Sequence, residues 1–351
     1  MERRQMVPLT VFEFAQLRKS LGRLLSTTQT PVVLPGEAIL GIEAVAAGVA
    51  APARRVLNLV SGPYGDQFGT WLERRGADVA NVTCGYHEVI DVGTVTRAIQ
   101  THRPTVLALV QAESATGGTN PTRDILAVAR EHGLVTIVDA VSAVGAEPVL
   151  VDEWAADFVA VGAQKALAGP NGVSAVAVSA RGWALVEANP SAPRGSILSL
   201  LDHRAAQAPG LPVPPALPVL EARALIDALR LVEDEGLDEV HRRHRRASLA
   251  ARAALGPLGL VPWQSNPGHA APVNTTVRMP RDRGTLDAPR GLVAPGDGVL
   301  RGQLWRINHY GAYADLNRVE EAVETLASLV ARPKDEALAA ARAGWEAEHG
   351  F

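Results

Sequence analysis

The chain has 351 residues, more than one hydrophobic core usually serves, so it holds one large or two ordinary domains. Hydrophobic residues at 47% and charged residues at 20% exclude a disordered chain. A net charge of −3, with no acidic or basic block at either end, gives no reason to expect nucleic acid or an anionic membrane as partner.

Met1-Glu2-Arg3-Arg4-Gln5 has no apolar h-region, so no secretion signal is expected. The most apolar stretch, Ile42 to Ala53, is too short for a membrane span of roughly 20 residues. Val56–Val60 reads as a strand ended by Ser61-Gly62-Pro63, and Asp66–Arg75 as an amphipathic helix. Cys84 is the single cysteine; it cannot form an internal disulfide and stands in no Cys-x-x-Cys or His–Cys pattern. It reads as a structural thiol, no metal is expected, and the address taken by default is the cytoplasm.

Helical periodicity returns over Val92–Thr101 and over Thr122–His132, the latter closed by Gly133. Between and after them lie apolar runs at Val106–Val110, Thr136–Val138, Phe158–Val161 and Val173–Val178, suited to strands buried on both faces. This alternation predicts an α/β sandwich around a largely parallel sheet. The pattern changes after Pro190. Ala208–Pro218 is too proline-rich for helix or central strand. A long helical pattern runs from Val219 to about Leu255, broken near Gly236. Short strands at Thr275–Val277 and Gln303–Ile307 and a helix from Asn317 to Val330 follow, giving a smaller α+β unit. The tail, Lys334 to Phe351, is charged and Ala-rich and reads as a solvated helix of no catalytic meaning.

Ligands of open α/β sheets bind at the carboxyl ends of the strands, so the residues just past each strand are the candidates. Lys165, in Gly162-Ala163-Gln164-Lys165-Ala166-Leu167, follows a buried strand among small residues. Desolvation there lowers an ammonium pKa and frees the amine as a nucleophile, although a loop lysine has the same sequence signature. Asp139 ends another strand and needs a cationic or hydrogen-bonding partner if buried; a protonated pyridine nitrogen is one, and a turn-capping role is the other. Tyr64, in a turn bracketed by Gly62 and Gly65, is placed either to stack on a flat ring or to face solvent. Arg306 sits in a C-terminal strand with apolar neighbours, where a guanidinium holds a carboxylate of a substrate or of the protein itself. His309 reads as a structural hydrogen-bonder.

Three strings carry a family resemblance: Val138-Asp139-Ala140-Val141-Ser142, Gly162-Ala163-Gln164-Lys165-Ala166-Leu167 and Leu304-Trp305-Arg306-Ile307-Asn308-His309-Tyr310-Gly311. In order and spacing the chain, from about Phe14 to about Val330, resembles the class V aminotransferases of the pyridoxal phosphate (PLP) fold type I, the alanine–glyoxylate and serine–pyruvate group. The resemblance implies a large domain, about residues 1–240, with a mostly parallel seven-stranded sheet between helices, and a small C-terminal α+β domain, about 241–351. It implies that Lys165 is the Schiff-base lysine and proton shuttle, Asp139 the partner of the pyridine nitrogen, and Tyr64 the stacking ring. Ser114 would lie near the ring's O3′, Val141 on the other ring face, Gln164 toward the phosphate pocket, and Arg306 on the amino-acid carboxylate. A homodimer is implied too, because fold type I sites form between subunits.

Within the family, Pro31 to Ala44, Val56 to Gly65 and Asn189 to Arg194 resemble most the members that take free pyridoxamine as a substrate. The residues agree. The helix near Glu37 opens Pro35-Gly36-Glu37, with a carboxylate where helix-start N–H groups otherwise cradle phosphate. Two anions within about 4 Å repel by a few kcal/mol at intermediate dielectric. The Thr that meets the phosphate from the other subunit is replaced by Val213. Gly36 and Glu37 are therefore expected beside the cofactor, though Glu37 also suits a helix dipole. The reaction expected is pyridoxamine + pyruvate = pyridoxal + L-alanine, with unphosphorylated pyridoxal or pyridoxamine in place of bound PLP. An ordinary PLP-bound alanine–glyoxylate or serine–pyruvate aminotransferase is the second reading, a non-catalytic B6-binding scaffold the third. A desulfurase is disfavoured because Cys84 is far from the C-terminal region. In departure from the family, the N-terminal Gly-Pro loop has no counterpart, Pro280 to Gly298 is shortened, and Asp297 falls near where the pyridoxamine-using members carry an additional Arg.

Overall fold

The computed structural model describes residues 7–280 and 291–347. The reading of Met1–Gln5, most of the shortened segment after Pro280 and the last residues of the tail lie outside them.

The chain opens with α1 (Val11–Leu24), whose N-cap Thr10 and Glu13 form a reciprocal capping box. There follow β1 (Val32–Pro35), α2 (Ala38–Val49), β2 (Arg55–Val60), α3 (Pro63–Arg74), β3 (Asp78–Thr83), α4 (Val92–His102) and β4 (Val106–Val110). A small hairpin, β5 (Ala112–Glu113) with β6 (Gly118–Thr119), precedes α5 (Thr122–Glu131), β7 (Val135–Asp139), β8 (Phe158–Gly162) and β9 (Val173–Val178). Then come α6 (Ala180–Glu187), α7 (Leu200–Ala206), α8 (Val219–Glu235) and α9 (Leu237–Ala253). The C-terminal part holds β10 (Thr275–Arg278), β11 (Val293–Pro295), β12 (Leu304–Ile307), α10 (Leu316–Val330) and α11 (Asp335–Glu346).

Seven strands form one sheet in the order β1-β9-β8-β7-β4-β2-β3. β8, β7, β4, β2 and β3 are mutually parallel, and β9 runs against them. β4, β8 and β9 are buried end to end, which is why their sequences are apolar throughout but for the small Ser174 of β9. Alternate residues feed two cores. Leu57, Leu59, Leu107, Leu109, Val138 and Val159 face one side with α1, α4, α5 and α8. Val56, Val106, Ala108, Ile137, Phe158 and Val176 face the other with α2 and α3. The parallel order sets the carboxyl ends of β2, β4, β7 and β8 side by side, with Val110 opposite Asp139 in register.

The second sheet is antiparallel, in the order β10-β12-β11. Trp305 and Ile307 of β12 are buried against α9, α10 and α11. On the opposite face Leu304 joins Ala115, Trp263 and Leu300 in a cluster that packs on Tyr64 and Tyr86 of the large sheet's edge. Arg306, two residues on from Leu304, shares that face.

Three sequence readings need correction. The helix expected from Asp66 starts at Pro63, since proline at the first helical position gives up no needed hydrogen bond; Tyr64 is therefore in a first helical turn and not a free turn. β3 went unread because it is a half-exposed, polar edge strand. The tail is not a solvated helix: α11 lies along α9 and buries Ala337, Leu338 and Ala341. Among the described residues no helix is long and apolar enough to cross a membrane.

Candidate active site

Lys165 is the third residue beyond β8, in the Ala163-Gln164-Lys165 turn, and its Nζ donates to Ser142 Oγ at 2.6 Å and to Ser114 Oγ at 2.8 Å. Burial pushes the amine below its ordinary lysine value, opposed by the carboxylates of Asp139, Glu113 and Glu37 and aided by Arg306. A buried amine with two hydroxyl partners, shifted by burial toward its neutral form, is suited to act as a nucleophile. Its nitrogen also lies 5.2 Å from the centre of the Tyr64 ring.

Asp139 closes β7, nearly buried. Its Oδ1 accepts the Val141 N–H at 3.0 Å, and burial raises the carboxyl to about 6. Among the described residues no ion pair at contact distance forms on it, and the Lys165 amine acts on it only through space. Glu113, on the hairpin after β4, carries no local signal in the sequence that sets it apart as a site residue. It is buried, accepts the Tyr64 N–H at 3.2 Å through Oε2, and leaves Oε1 unpartnered. Burial and the neighbouring Asp139 push it up to about 7. Glycine at position 62 is what admits it: a Cβ there would stand 2.1 Å from Glu113 Cγ. Ser142 likewise carries no local signal that sets it apart. Serine at a strand end is too common to single out, and only the fold brings it to Lys165.

Glu37 caps α2, with Oε2 accepting the Ile39 N–H at 2.8 Å, while its Oε1 accepts the side-chain amide of Gln164. The N–H of Gly36 is taken by the carbonyl of Gly172 at 2.8 Å. Both the carboxylate and the occupied N–H groups leave the start of α2 unsuited to a phosphate dianion. Glu37, Tyr64, Asp139, Val141, Ser142, Gln164 and Lys165 line one open cleft, with about 360 Å³ of empty space. Val213 is elsewhere, packed on the large-domain core of its own chain. Arg306 stands within electrostatic reach of Lys165 and Tyr64, and its Nη2 is paired with Asp297 Oδ2 at 2.7 Å.

The residues around the cleft fit a B6 ring. A buried carboxyl acceptor, an aromatic ring and a lysine amine meet there, which is the set that a protonated pyridine with an aldehyde or amine asks for. At the start of α2 they present a carboxylate, Glu37, in place of free N–H groups. Cys84 stands apart, half-buried, its thiol pushed by burial up to about 11, and so is inert at neutral pH. His309 is buried with Nε2 2.8 Å from Thr275 Oγ1, and burial lowers it to about 4.

Residues 69–281 match the family model described as aminotransferase class V. Pyridoxamine–pyruvate transaminase of Mesorhizobium japonicum is 37% identical over 292 residues, covering 81% of this chain and 74% of the relative. (S)-Ureidoglycine–glyoxylate transaminase of Bacillus subtilis is 30% identical over 305 residues, covering 79% and 73%. Among solved structures, the pyridoxamine-pyruvate aminotransferase of Mesorhizobium loti superposes with a TM-score of 0.91 at 32% identity, covering 96% of this chain and 89% of that one. The alanine–glyoxylate aminotransferase of Nostoc sp. gives 0.87 at 26%, covering 93% and 90%.

Proposed function

We propose, on the premise that this chain belongs to the class V aminotransferases and is a B6-dependent transaminase, that it exchanges an amino group between pyridoxamine and pyruvate, giving pyridoxal and L-alanine. The observation that carries the choice is Glu37, held by Gln164 at the start of α2 where a phosphate ester needs free N–H groups.

The B6 ring supplies an electron sink that makes the substrate Cα–H acidic. The remaining work falls to the chain. Lys165 would hold the B6 aldehyde carbon through its amine, water leaving as the C–N bond forms, and would carry a proton between the substrate Cα and the ring's exocyclic carbon. Ser114 and Ser142 orient that amine. Asp139 accepts the ring N–H and keeps it protonated. Tyr64 and Val141 bracket the ring plane, and Arg306 holds the carboxylate of alanine or pyruvate. Glu37 and Gln164 bind the 5′-hydroxymethyl group by hydrogen bonds and repel its phosphate ester. Two subunits complete the assembly, and the cytoplasm is its setting.

The test is a spectroscopic titration with pyridoxal and with pyridoxal phosphate. A visible band that saturates with pyridoxal at concentrations where the phosphate gives none supports the reading. Tighter binding of the phosphate would instead make the chain an ordinary PLP-bound alanine–glyoxylate-type enzyme.

A further inference from the structure

Arg306 already holds a carboxylate. Its Nη2 donates to Asp297 Oδ2 at 2.7 Å, and its Nε is buried without a partner. The two side chains differ in setting: Arg306 is 18% exposed and Asp297 71%. Asp297 precedes a short 3-10 turn, Gly298–Leu300, but its side chain caps nothing. Its carboxylate therefore does no local structural work that would account for its position. β11, just before it, pairs Ala294 with Arg306 and so keeps Asp297 tethered beside the guanidinium.

We propose that Asp297 is a specificity-determining residue, a built-in carboxylate that substrate carboxylates displace from Arg306. The inference rests on Arg306 being the carboxylate-holding group of the transamination above. A guanidinium binds a carboxylate best through two parallel N–H groups, and one arm of the fork is taken until Asp297 leaves. Leaving is easy, because an exposed partner regains water and exposed ion pairs are weak. A short monocarboxylate makes the exchange one for one. After it, the Asp297 carboxylate stays nearby on its tether. A substrate with a second carboxylate adds a like charge against it, and like charges brought together at a binding surface are strongly disfavoured. The site is thus built for short monocarboxylic amino and 2-oxo acids and against their dicarboxylic counterparts.

The experiment compares the wild-type chain, Asp297→Asn and Asp297→Ala, each saturated with pyridoxamine, using pyruvate and oxaloacetate. The KM for pyruvate is expected to fall by about two- to fivefold with kcat unchanged, the range an exposed ion pair supports. The ratio of kcat/KM for oxaloacetate to that for pyruvate is expected to rise by about tenfold. An unchanged preference, or a higher KM for pyruvate in both variants, overturns the proposal. Calorimetric titration of propionate and succinate into the chain before any B6 compound is added gives a second readout. Both are expected to bind more tightly to the Asp297 variants, succinate by the larger factor, and unaltered affinities count against the proposal. Changed affinities in a chain that transaminates nothing would uphold the role of Asp297 and remove the transaminase reading; transamination with unaltered preference would do the reverse.

Discussion

The amine of Lys165 donates to the hydroxyl of Ser142 at 2.6 Å, joining the turn after β8 to the turn after β7. A hydroxyl accepts from the amine without adding charge, so it aims the nitrogen and leaves its lowered pKa to burial. Ser142→Ala is expected to lower kcat by about tenfold, one hydrogen bond's worth of orientation, with KM little changed. Lys165→Ala removes nucleophile and proton carrier together and is expected to lower kcat by at least about 10²–10⁴-fold. Steady-state rates with alanine and pyridoxal measure both. Equal losses in the two variants would mean that Ser142 does more than aim.

Glu113 makes stability depend on pH. Its carboxyl is raised from 4.5 to about 7 by burial and by Asp139. Between those values the folded chain keeps a proton that the unfolded chain has released. Stability is therefore full below the lower value and falls as pH rises through about 7. Asp139, raised to about 6, acts in the same direction over a narrower window. The Glu113 contribution is at most about 3 kcal/mol. Glu113→Gln keeps the volume and removes the titration. The drop in Tm between pH 5 and pH 8 is expected to be smaller in the variant than in the wild type, by thermal unfolding. An equal drop in both would place the pH dependence in other groups.

Gly311, just past β12, packs against the backbone of Lys165. It has a φ of +62°, and a Cβ there would lie 2.9 Å from the Lys165 carbonyl oxygen. Its N–H donates to His244 Nε2 at 3.0 Å, and its carbonyl accepts from Arg243. His244 lies 2.7 Å from the Val240 carbonyl through Nδ1, and burial lowers it to about 3, so the ring is neutral with its proton on Nδ1 and Nε2 free to accept. His244→Leu orphans the Gly311 N–H and is expected to cost about 1–3 kcal/mol. Gly311→Ala adds about 1–2 kcal/mol of backbone strain and presses on the Lys165 turn. Its kcat is expected to fall further than that of His244→Leu at matched stability. Denaturant unfolding alongside kinetics separates the two losses.

Much of this arrangement is legible in the sequence, and the parts that are not have definite reasons. Val106–Val110 and Val173–Val178 announce themselves because strands buried on both faces are apolar nearly throughout, Ser174 being the one small polar residue in the second. Gly236, with φ of +88°, marks the break between α8 and α9 where the helical pattern pauses. Lys165 and Asp139 can be singled out because a charged group at or near the end of a buried strand needs a reason to be there. Glu113 and Ser142 follow strands too, yet their importance lies in what they meet: Tyr64 and Lys165, 49 and 23 positions away. Pairing at that separation is set by strand order, which no local pattern encodes. The Arg306–Asp297 contact is similar, since a strand Arg asks for an anion without saying whose.

The tail offers a last case, because composition misleads there. Lys334 to Phe351 is rich in Ala and charge, which suits a solvated helix. Helix α11 nevertheless lies so close to α9 that a Cβ at Gly344 would stand 2.9 Å from both the Leu249 carbonyl oxygen and Ala253 Cβ. Its small residues are thus the means of close approach, with Ala337 and Ala341 wholly buried and Leu338 nearly so. Leu338→Ala is expected to cost about 2 kcal/mol, the low end for a core leucine, because it sits at the edge of its cluster. Gly344→Leu is expected to cost more, since its side chain meets backbone that cannot yield. Urea unfolding of the two variants measures both, followed through Trp345, which packs on this cluster, and Trp305, which lies inside it. If Gly344→Leu is the milder change, α11 is docked loosely and the composition described it correctly. If the order holds, α11 is part of the core that buries Trp305 and Ile307 of β12, and therefore part of what holds Arg306 in place.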